Sequence, residues 1–85
     1  MRIQLKYFAS IREALGTSGE EAVLPPQLST IADVRAWLCA RGPVWAEALG
    51  GEKRVRCALD HQMTDPAARV REGCEVAFFP PVTGG

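Results

Sequence analysis

Apolar and polar residues alternate along the first residues of the chain. Ile3, Leu5 and Tyr7 are separated by Gln4 and Lys6, the period of a strand with one buried face. A strand is therefore predicted over residues 2–8. Three further strands are predicted, at residues 20–24, 55–59 and 74–79.

Two helices are predicted between these strands. Ser10 and Glu13 have the spacing of a capping box, which predicts a short helix that Gly16 ends. Thr30 is likewise followed by an acid, Asp33, three positions later, and this pair is predicted to start the main helix. Helical spacing places four residues on one side of the main helix: Ile31, Val34, Leu38 and Arg41.

The connections restrict the topology. A helix of about six residues spans roughly 9 Å, whereas a parallel crossover takes about 10–12 residues, so the second strand should pair antiparallel with the first. Gly42-Pro43 ends the main helix before one further helical turn at 44–49. Residues 60–63 are expected to form a turn and 64–71 to be irregular. The order predicts an α+β fold, a β-grasp, in which a mixed sheet packs on one main helix and the first and last strands are parallel neighbours.

Length and composition argue against a self-sufficient enzyme. The chain has 85 residues, of which 47% are hydrophobic and 24% charged, values typical of one small globular domain. Such a domain has little room for its own catalytic cleft, which favours a module that acts on a partner. The formal net charge is zero, whereas nucleic-acid-binding domains usually carry a basic excess, so no nucleic-acid partner is expected.

The cysteines and the hydropathy indicate a reducing, cytoplasmic setting. Cys39, Cys57 and Cys74 form neither a disulfide framework nor a CxxC pair. The sequence shows no signal-peptide pattern and no apolar run near 18 residues, so no membrane association is expected. Cys57 and Cys74 are predicted to be small buried residues, while Cys39 is the candidate for a reactive thiol.

The sequence contains no catalytic or metal-binding set. His61 is the only histidine and falls in a predicted turn, where a solvated side chain is the simplest expectation. Asp60, Asp65 and Glu72 are loop acids with no indicated pairing, and no phosphate-binding glycine loop is present. We therefore expect no metal and no permanently bound cofactor.

The last residues carry the candidate chemistry. Pro80-Pro81 ends strand pairing and stiffens the chain that follows. Gly84 and Gly85 have no Cβ, so they can enter a narrow channel in another protein and leave a terminal carboxylate unhindered. A carboxylate becomes a good acyl donor once it is adenylated, and a sulfur nucleophile could then give a thiocarboxylate. A frayed end is the simpler alternative.

Two phenylalanines stand on the face that strand parity assigns to solvent. If the first and last strands are parallel neighbours, Phe8 and Phe79 lie at the same end of the sheet, beside the tail. Two such rings are a candidate interface anchor, which Met63 would extend. The alternative is that the short helix or the turn at 44–49 covers one of the rings.

The ending Phe78-Phe79-Pro80-Pro81-Val82-Thr83-Gly84-Gly85 resembles the small-subunit family of molybdopterin synthase, the ubiquitin-like sulfur carriers of molybdenum-cofactor biosynthesis. The resemblance extends over essentially the whole chain. Further similar segments are Lys6-Tyr7-Phe8-Ala9, Ile11-Arg12-Glu13, Thr30-Ile31, Val34-Arg35 and Glu75-Val76-Ala77.

The resemblance implies a β-grasp domain at residues 1–81 and a flexible tail at 82–85. Gly85 would pass through a transient AMP adduct to a thiocarboxylate, and Val82, Thr83 and Gly84 would thread into the large subunit. Phe8, Met63, Phe79 and Pro80 would contact that partner. Sulfur would be passed to cyclic pyranopterin monophosphate.

The implied partners are an ATP-dependent adenylating enzyme, a sulfurtransferase and the large subunit, which joins the small subunit in a heterotetramer. This chain would be the non-catalytic sulfur donor. The stretch Asp60-His61-Gln62-Met63 departs from the family, in which Asn often occupies the position of Asp60. A sulfur carrier for thiamine or cysteine synthesis, a ubiquitin-like protein modifier and a structural adaptor remain open alternatives.

Overall fold

The computed structural model describes residues 1–50 and 54–81. The predicted tail, Val82, Thr83, Gly84 and Gly85, lies outside the described residues, and so does the predicted boundary of the domain with that tail.

The described residues form a mixed sheet and three helices. The sheet order is β2-β1-β5-β3-β4. The central pair, β1 and β5, is parallel, and the other neighbours are antiparallel. The β-grasp prediction is therefore confirmed. In chain order the elements are β1 (Arg2–Tyr7), α1 (Ala9–Leu15), β2 (Gly19–Val23), α2 (Ile31–Cys39), α3 (Pro43–Leu49), β3 (Arg56–Leu59), β4 (Gln62–Thr64) and β5 (Glu75–Phe79).

The main helix α2 begins as predicted. The Thr30 hydroxyl accepts a hydrogen bond from the Asp33 N–H at 3.2 Å, and the Asp33 carboxylate accepts one from the Thr30 N–H at 3.1 Å. Backbone hydrogen bonds from Ser29 and Thr30 lower the pKa of Asp33. This capping box satisfies two backbone N–H groups at the start of α2. The helix buries its apolar stripe in the core with Ile31, Val34 and Leu38.

The start of α1 differs from the prediction. The helix begins at Ala9, its N-cap is Phe8, and no side chain caps it, so Ser10 and Glu13 form no capping box. Ala9 has φ 52°, which turns the chain sharply out of β1 and begins the helix one residue early. Gly16 ends α1 as predicted, with φ 72° and its N–H donating to the Arg12 carbonyl at 2.9 Å.

The predicted turn at 60–63 contains a strand that the sequence analysis missed. Asp60 and His61 alone make the turn, with φ 49° and 70°, the left-handed conformation of a two-residue hairpin. The chain then pairs as β4 with β3, where Met63 lies opposite Ala58. A strand of three mostly exposed residues has no apolar period for a sequence pattern to detect.

Arg41 lies beyond the end of α2, contrary to the prediction, and does not extend its buried stripe. Its guanidinium donates to both carboxylate oxygens of Glu20, at 2.8 and 2.9 Å. It also lies over the rings of Trp37 and Trp45, with its carbon 5.0 and 4.6 Å from their centroids. The buried Tyr7 hydroxyl donates to Glu20 at 2.9 Å. These five residues form the Glu20–Arg41 cluster.

Charge, hydrogen bonding and burial inside this cluster shift the pKa values of Tyr7, Glu20 and Arg41. The hydrogen bonds from Arg41 lower the pKa of Glu20. Burial, followed by the Glu20 carboxylate, raises the pKa of Tyr7. Tyr7 therefore stays a neutral donor while Glu20 stays an acceptor at neutral pH, which holds β1 against β2.

Candidate partner-binding face and tail exit

The sheet has an inner face, which packs on the helices, and an outer face, which carries the alternate residues. On the outer face Ala77 lies between Lys6 of β1 and Ala58 of β3, and Ala58 lies beside Met63 of β4. Ala58 and Ala77 are buried, whereas Met63 is 52% exposed. The centre of the outer face is therefore made of small side chains that their larger neighbours cover.

Phe8 and Phe79 lie side by side at the tail end of this face, and their rings stack. The centroids lie 4.7 Å apart and the ring planes differ by 5°. The pairing follows from the parallel register, since Tyr7 lies opposite Phe78 and the Phe8 N–H donates to the Phe78 carbonyl at 3.2 Å. Phe8 remains 41% exposed. The prediction that both rings meet on the solvent face at one end of the sheet is confirmed.

The outer face contains a groove of about 330 Å³ beside these rings. Phe8, Met63, Phe79 and Pro80, the four residues predicted as the partner interface, all line this outer groove. The other lining residues are Ala9, Arg56 and Pro81. Sequence analysis missed Arg56, although its parity with Ala58 in β3 already placed it on the outer face.

The chain leaves the sheet between two cavities. A second cavity of about 150 Å³ lies beyond the prolines, on the side of the helices. Pro80 and Pro81 line both cavities, so the segment leading to residues 82–85 starts where they meet. Proline lacks the N–H that a sheet ladder requires, which explains why β5 ends at Phe79. The helix-side cavity is lined by Ser10, Ile11, Ala14, Ala48, Arg54, Val55, Pro80 and Pro81.

The turn between β3 and β4, formed by Asp60 and His61, lies outside the groove lining. The His61 side chain is 81% exposed, as predicted, with Nδ1 3.4 Å from a Glu75 carboxylate oxygen. Asp60 accepts a hydrogen bond from the Glu75 N–H at 2.9 Å and pairs with Arg71 at 2.8 Å. Asp60 thus holds the turn against β5. It is not the unpaired acid that the sequence suggested.

The cysteines occupy three separate places. Cys57 and Cys74 are buried as predicted, and Cys39 is partly buried. Burial raises the pKa of the Cys57 thiol. Over residues 1–50 and 54–81, no three His, Cys, Asp or Glu side chains come together as a metal-binding group. None of the helices described is both long and apolar enough to cross a membrane.

The sequence model of the ThiS family matches residues 5–85. The chain belongs to the ThiS family. This ThiS-family protein is 36% identical over 89 residues to the molybdopterin synthase sulfur carrier subunit of Escherichia coli K12, covering 98% of this chain and 99% of the relative.

Solved structures share the fold of this ThiS-family protein. SAMP1 from Haloferax volcanii superimposes with a TM-score of 0.80 at 21% identity, with complete coverage of both chains. A complex of subunits 1 and 2 of molybdopterin-converting factor from Helicobacter pylori contains a chain that matches with a TM-score of 0.67 at 21% identity, again with complete coverage of both chains. At these identities the likeness concerns the fold.

Proposed function

We propose that this ThiS-family protein is the sulfur carrier subunit of a molybdopterin synthase. The observation that carries the proposal is the full-length similarity to the Escherichia coli sulfur carrier subunit, at 36% identity. The family match also extends to Gly85, the residue to which the chemistry is assigned.

The proposed chemistry takes place at the backbone carboxylate of Gly85. A carboxylate oxygen attacks the α-phosphate of ATP on an adenylating enzyme, pyrophosphate leaves, and an acyl adenylate forms. The outer sulfur of a sulfurtransferase persulfide then attacks the acyl carbon and displaces AMP, which gives an acyl disulfide. A second thiol attacks the persulfide cysteine, forms a disulfide with it and releases the thiocarboxylate. The thiocarboxylate donates its sulfur to cyclic pyranopterin monophosphate on the large subunit.

The body of the protein is assigned to recognition. The outer groove, with its stacked Phe8 and Phe79 rings, supplies apolar area of the kind that anchors protein interfaces. Docking there aims the Pro80-Pro81 segment at the partner, and Val82, Thr83 and Gly84 then thread into its channel. Acid–base side chains are assigned to the large subunit, and the assembly is a cytoplasmic heterotetramer.

Intact-protein mass spectrometry tests the assignment to Gly85. After incubation with ATP, the adenylating enzyme and a sulfur donor, the protein should gain about 16 Da, because sulfur replaces one oxygen of the terminal acyl group. Fragmentation should locate the gain at the last residue. A gain located on Cys39, Cys57 or Cys74 would contradict the proposal.

The matched variant lacks Gly85. It should not be loaded with sulfur, while its free energy of unfolding should change by under about 0.5 kcal/mol, because the hydrophobic core formed by the described residues extends only to Phe78. A large loss of stability would indicate a structural role for the tail.

A second assay separates the sulfur-carrier alternatives. Thiocarboxylated protein, mixed with the large subunit and cyclic pyranopterin monophosphate, should yield the dithiolene product. Transfer only into a thiazole or cysteine pathway would refute the molybdopterin assignment. Isopeptide linkage to lysines of many proteins would instead indicate a modifier.

A further inference from the structure

The two ends of the outer sheet face differ in how their charges are balanced. Far from the tail, Glu21 pairs with Arg2 at 3.8 Å and accepts a hydrogen bond from Gln4 at 3.3 Å. Glu75 lies 3.4 Å from His61. Both glutamates at that end therefore have side-chain partners within the chain.

Among the described residues, each of the two cavities at the tail exit is lined by one arginine and by no acid. Arg56 lines the outer groove, where the other lining residues are apolar. Arg54 lines the helix-side cavity, which also has no acidic lining residue. Both arginines are exposed. Among the residues that the structure describes, neither side chain forms an ion pair or a hydrogen bond.

The two arginines lie on either side of the tail exit. Each lines a cavity that Pro80 and Pro81 also line. The segment that leads to the tail therefore leaves the body with one guanidinium near each side. A partner that receives the tail and covers the outer groove must contact or cover Arg56.

Covering Arg56 restricts the chemistry of the partner. A guanidinium removed from water without a counter-charge destabilises a complex, whereas one that meets a carboxylate can form two parallel charge-assisted hydrogen bonds. The groove supplies apolar contact but no acid, so the counter-charge has to come from outside the described residues.

We propose that Arg54 and Arg56 are specificity determinants that bind carboxylates at the mouth of the partner's tail-receiving channel. This inference rests on the proposed function and specifies that the large subunit presents an acidic surface at this contact. The ion pair between Arg56 and a partner carboxylate orients the small subunit against the partner on the groove side. The ion pair of Arg54 does the same on the helix side. Complementary charge of this kind mainly accelerates association and excludes wrong partners.

Association kinetics with the large subunit of the same organism test the proposal. Arg56→Glu should lower the association rate constant about tenfold at roughly 0.05 M salt, and the loss should shrink to about twofold at roughly 0.5 M, because salt screens the interaction. Arg54→Glu should act in the same direction. Arg56→Gln, which removes the charge without reversing it, should give an intermediate loss.

Arg69→Glu is the matched control. Arg69 is exposed and lines neither cavity at the tail exit. Its backbone forms an isolated β-bridge with Thr30 at the start of α2, and the substitution makes the same change of charge. Its association rate should stay within about twofold of wild type. Urea unfolding of every variant keeps a folding defect separate from a binding defect.

The proposal would be overturned if folded Arg56→Glu associated with the large subunit at the wild-type rate. It would also be overturned if the association rate constant fell by the same factor at both salt concentrations. An equal effect of Arg69→Glu would also overturn it, since net charge alone would then explain the result. The protein could also bind phosphatidylserine vesicles or a single-stranded oligonucleotide more tightly than it binds the large subunit, in a way that depends on Arg56. That result would overturn the proposal, because the ligand of Arg56 would then be a phosphate and not a protein carboxylate. If wild type neither binds the large subunit nor transfers sulfur to it, the proposed function itself fails.

Discussion

Phe8 and Phe79 show how much a single residue position can indicate. Phe79 ends β5 and Phe8 follows directly after β1, both at positions where strand alternation predicts a polar side chain, and the two rings stack 4.7 Å apart. Their meeting could be predicted because side-chain parity and a parallel neighbour relationship determine both face and end. The exposed fractions of the two rings could not be predicted, because they depend on the neighbouring side chains.

Replacing Phe79 with alanine should weaken binding of the large subunit by about 1–3 kcal/mol, the range for an aromatic anchor at the centre of an interface. Equilibrium titration of the complex measures the change. Val23→Ala is the control, since Val23 is 64% exposed and lies on the same face at the opposite end, opposite Arg2. Equal losses for the two variants would mean that the outer groove is not the docking site.

Arg56 marks the limit of residue-scale prediction. Alternation placed it on the polar side of a strand, where a solvated arginine is unremarkable. Its position in an apolar groove beside Pro80 follows from the register that puts Arg56 opposite Phe79. That register arises from the whole sheet and is not encoded in β3 alone.

Helices α1 and α2 look alike at their starts in the sequence but differ in the structure. Both have a hydroxyl residue followed three positions later by an acid. Only Thr30 and Asp33 exchange hydrogen bonds, while α1 starts from Phe8 without a side-chain cap. The immediate turn out of β1, with Ala9 at φ 52°, leaves Ser10 inside the helix.

Thr30→Ala should therefore destabilise the protein by about 1 kcal/mol, since it removes the hydroxyl that accepts from the Asp33 N–H. Ser10→Ala should leave the free energy of unfolding nearly unchanged, because Ser10 caps nothing. Urea denaturation of the two variants at neutral pH measures both values. A larger loss for Ser10→Ala than for Thr30→Ala would show that α1 is capped in solution.

Strand β4 illustrates why short elements escape a sequence pattern. Three residues contain no full apolar period, and the turn before β4 uses Asp60 and His61 in place of the Asn-Gly pair that most strongly signals such a hairpin. Met63 was predicted to belong to the interface although its strand was not predicted. Pairing with β3 is what brings Met63 to the outer groove.

The Glu20–Arg41 cluster joins distant parts of the molecule. Tyr7 belongs to β1, Glu20 to β2, Trp37 to α2 and Trp45 to α3, and Arg41 lies in the link between the two helices. Tyr7 and Trp45 also meet edge to face, with ring centroids 5.8 Å apart. Sequence analysis predicted the elements but not this cluster, because each partner comes from a different element.

Stability should depend on pH through Glu20. Arg41 lowers the folded-state pKa of Glu20 below its ordinary value of 4.5, so the ionised carboxylate stabilises the fold above that value. This stabilisation is lost as the pH falls through the lowered pKa. Glu20→Gln should therefore destabilise the protein more at about pH 7 than at about pH 3.

Urea unfolding at the two pH values measures that difference. Glu21→Gln is the control, because Glu21 belongs to the same strand but its contact with Arg2 is longer, at 3.8 Å, and exposed. The control should show the smaller dependence on pH. A cost of Glu20→Gln that stays constant between the two pH values would contradict the assignment.

The position of β5 at the centre of the sheet affects how the chain matures. Because β5 pairs with both β1 and β3 and follows every other described strand along the chain, the described sheet cannot close until translation has passed Phe79. A message truncated before this strand yields a product that lacks the middle of its sheet and stays open to proteolysis. Synthesis that stops before β5 therefore yields no closed sheet, and the outer groove, which Phe79 and Pro80 line, does not form.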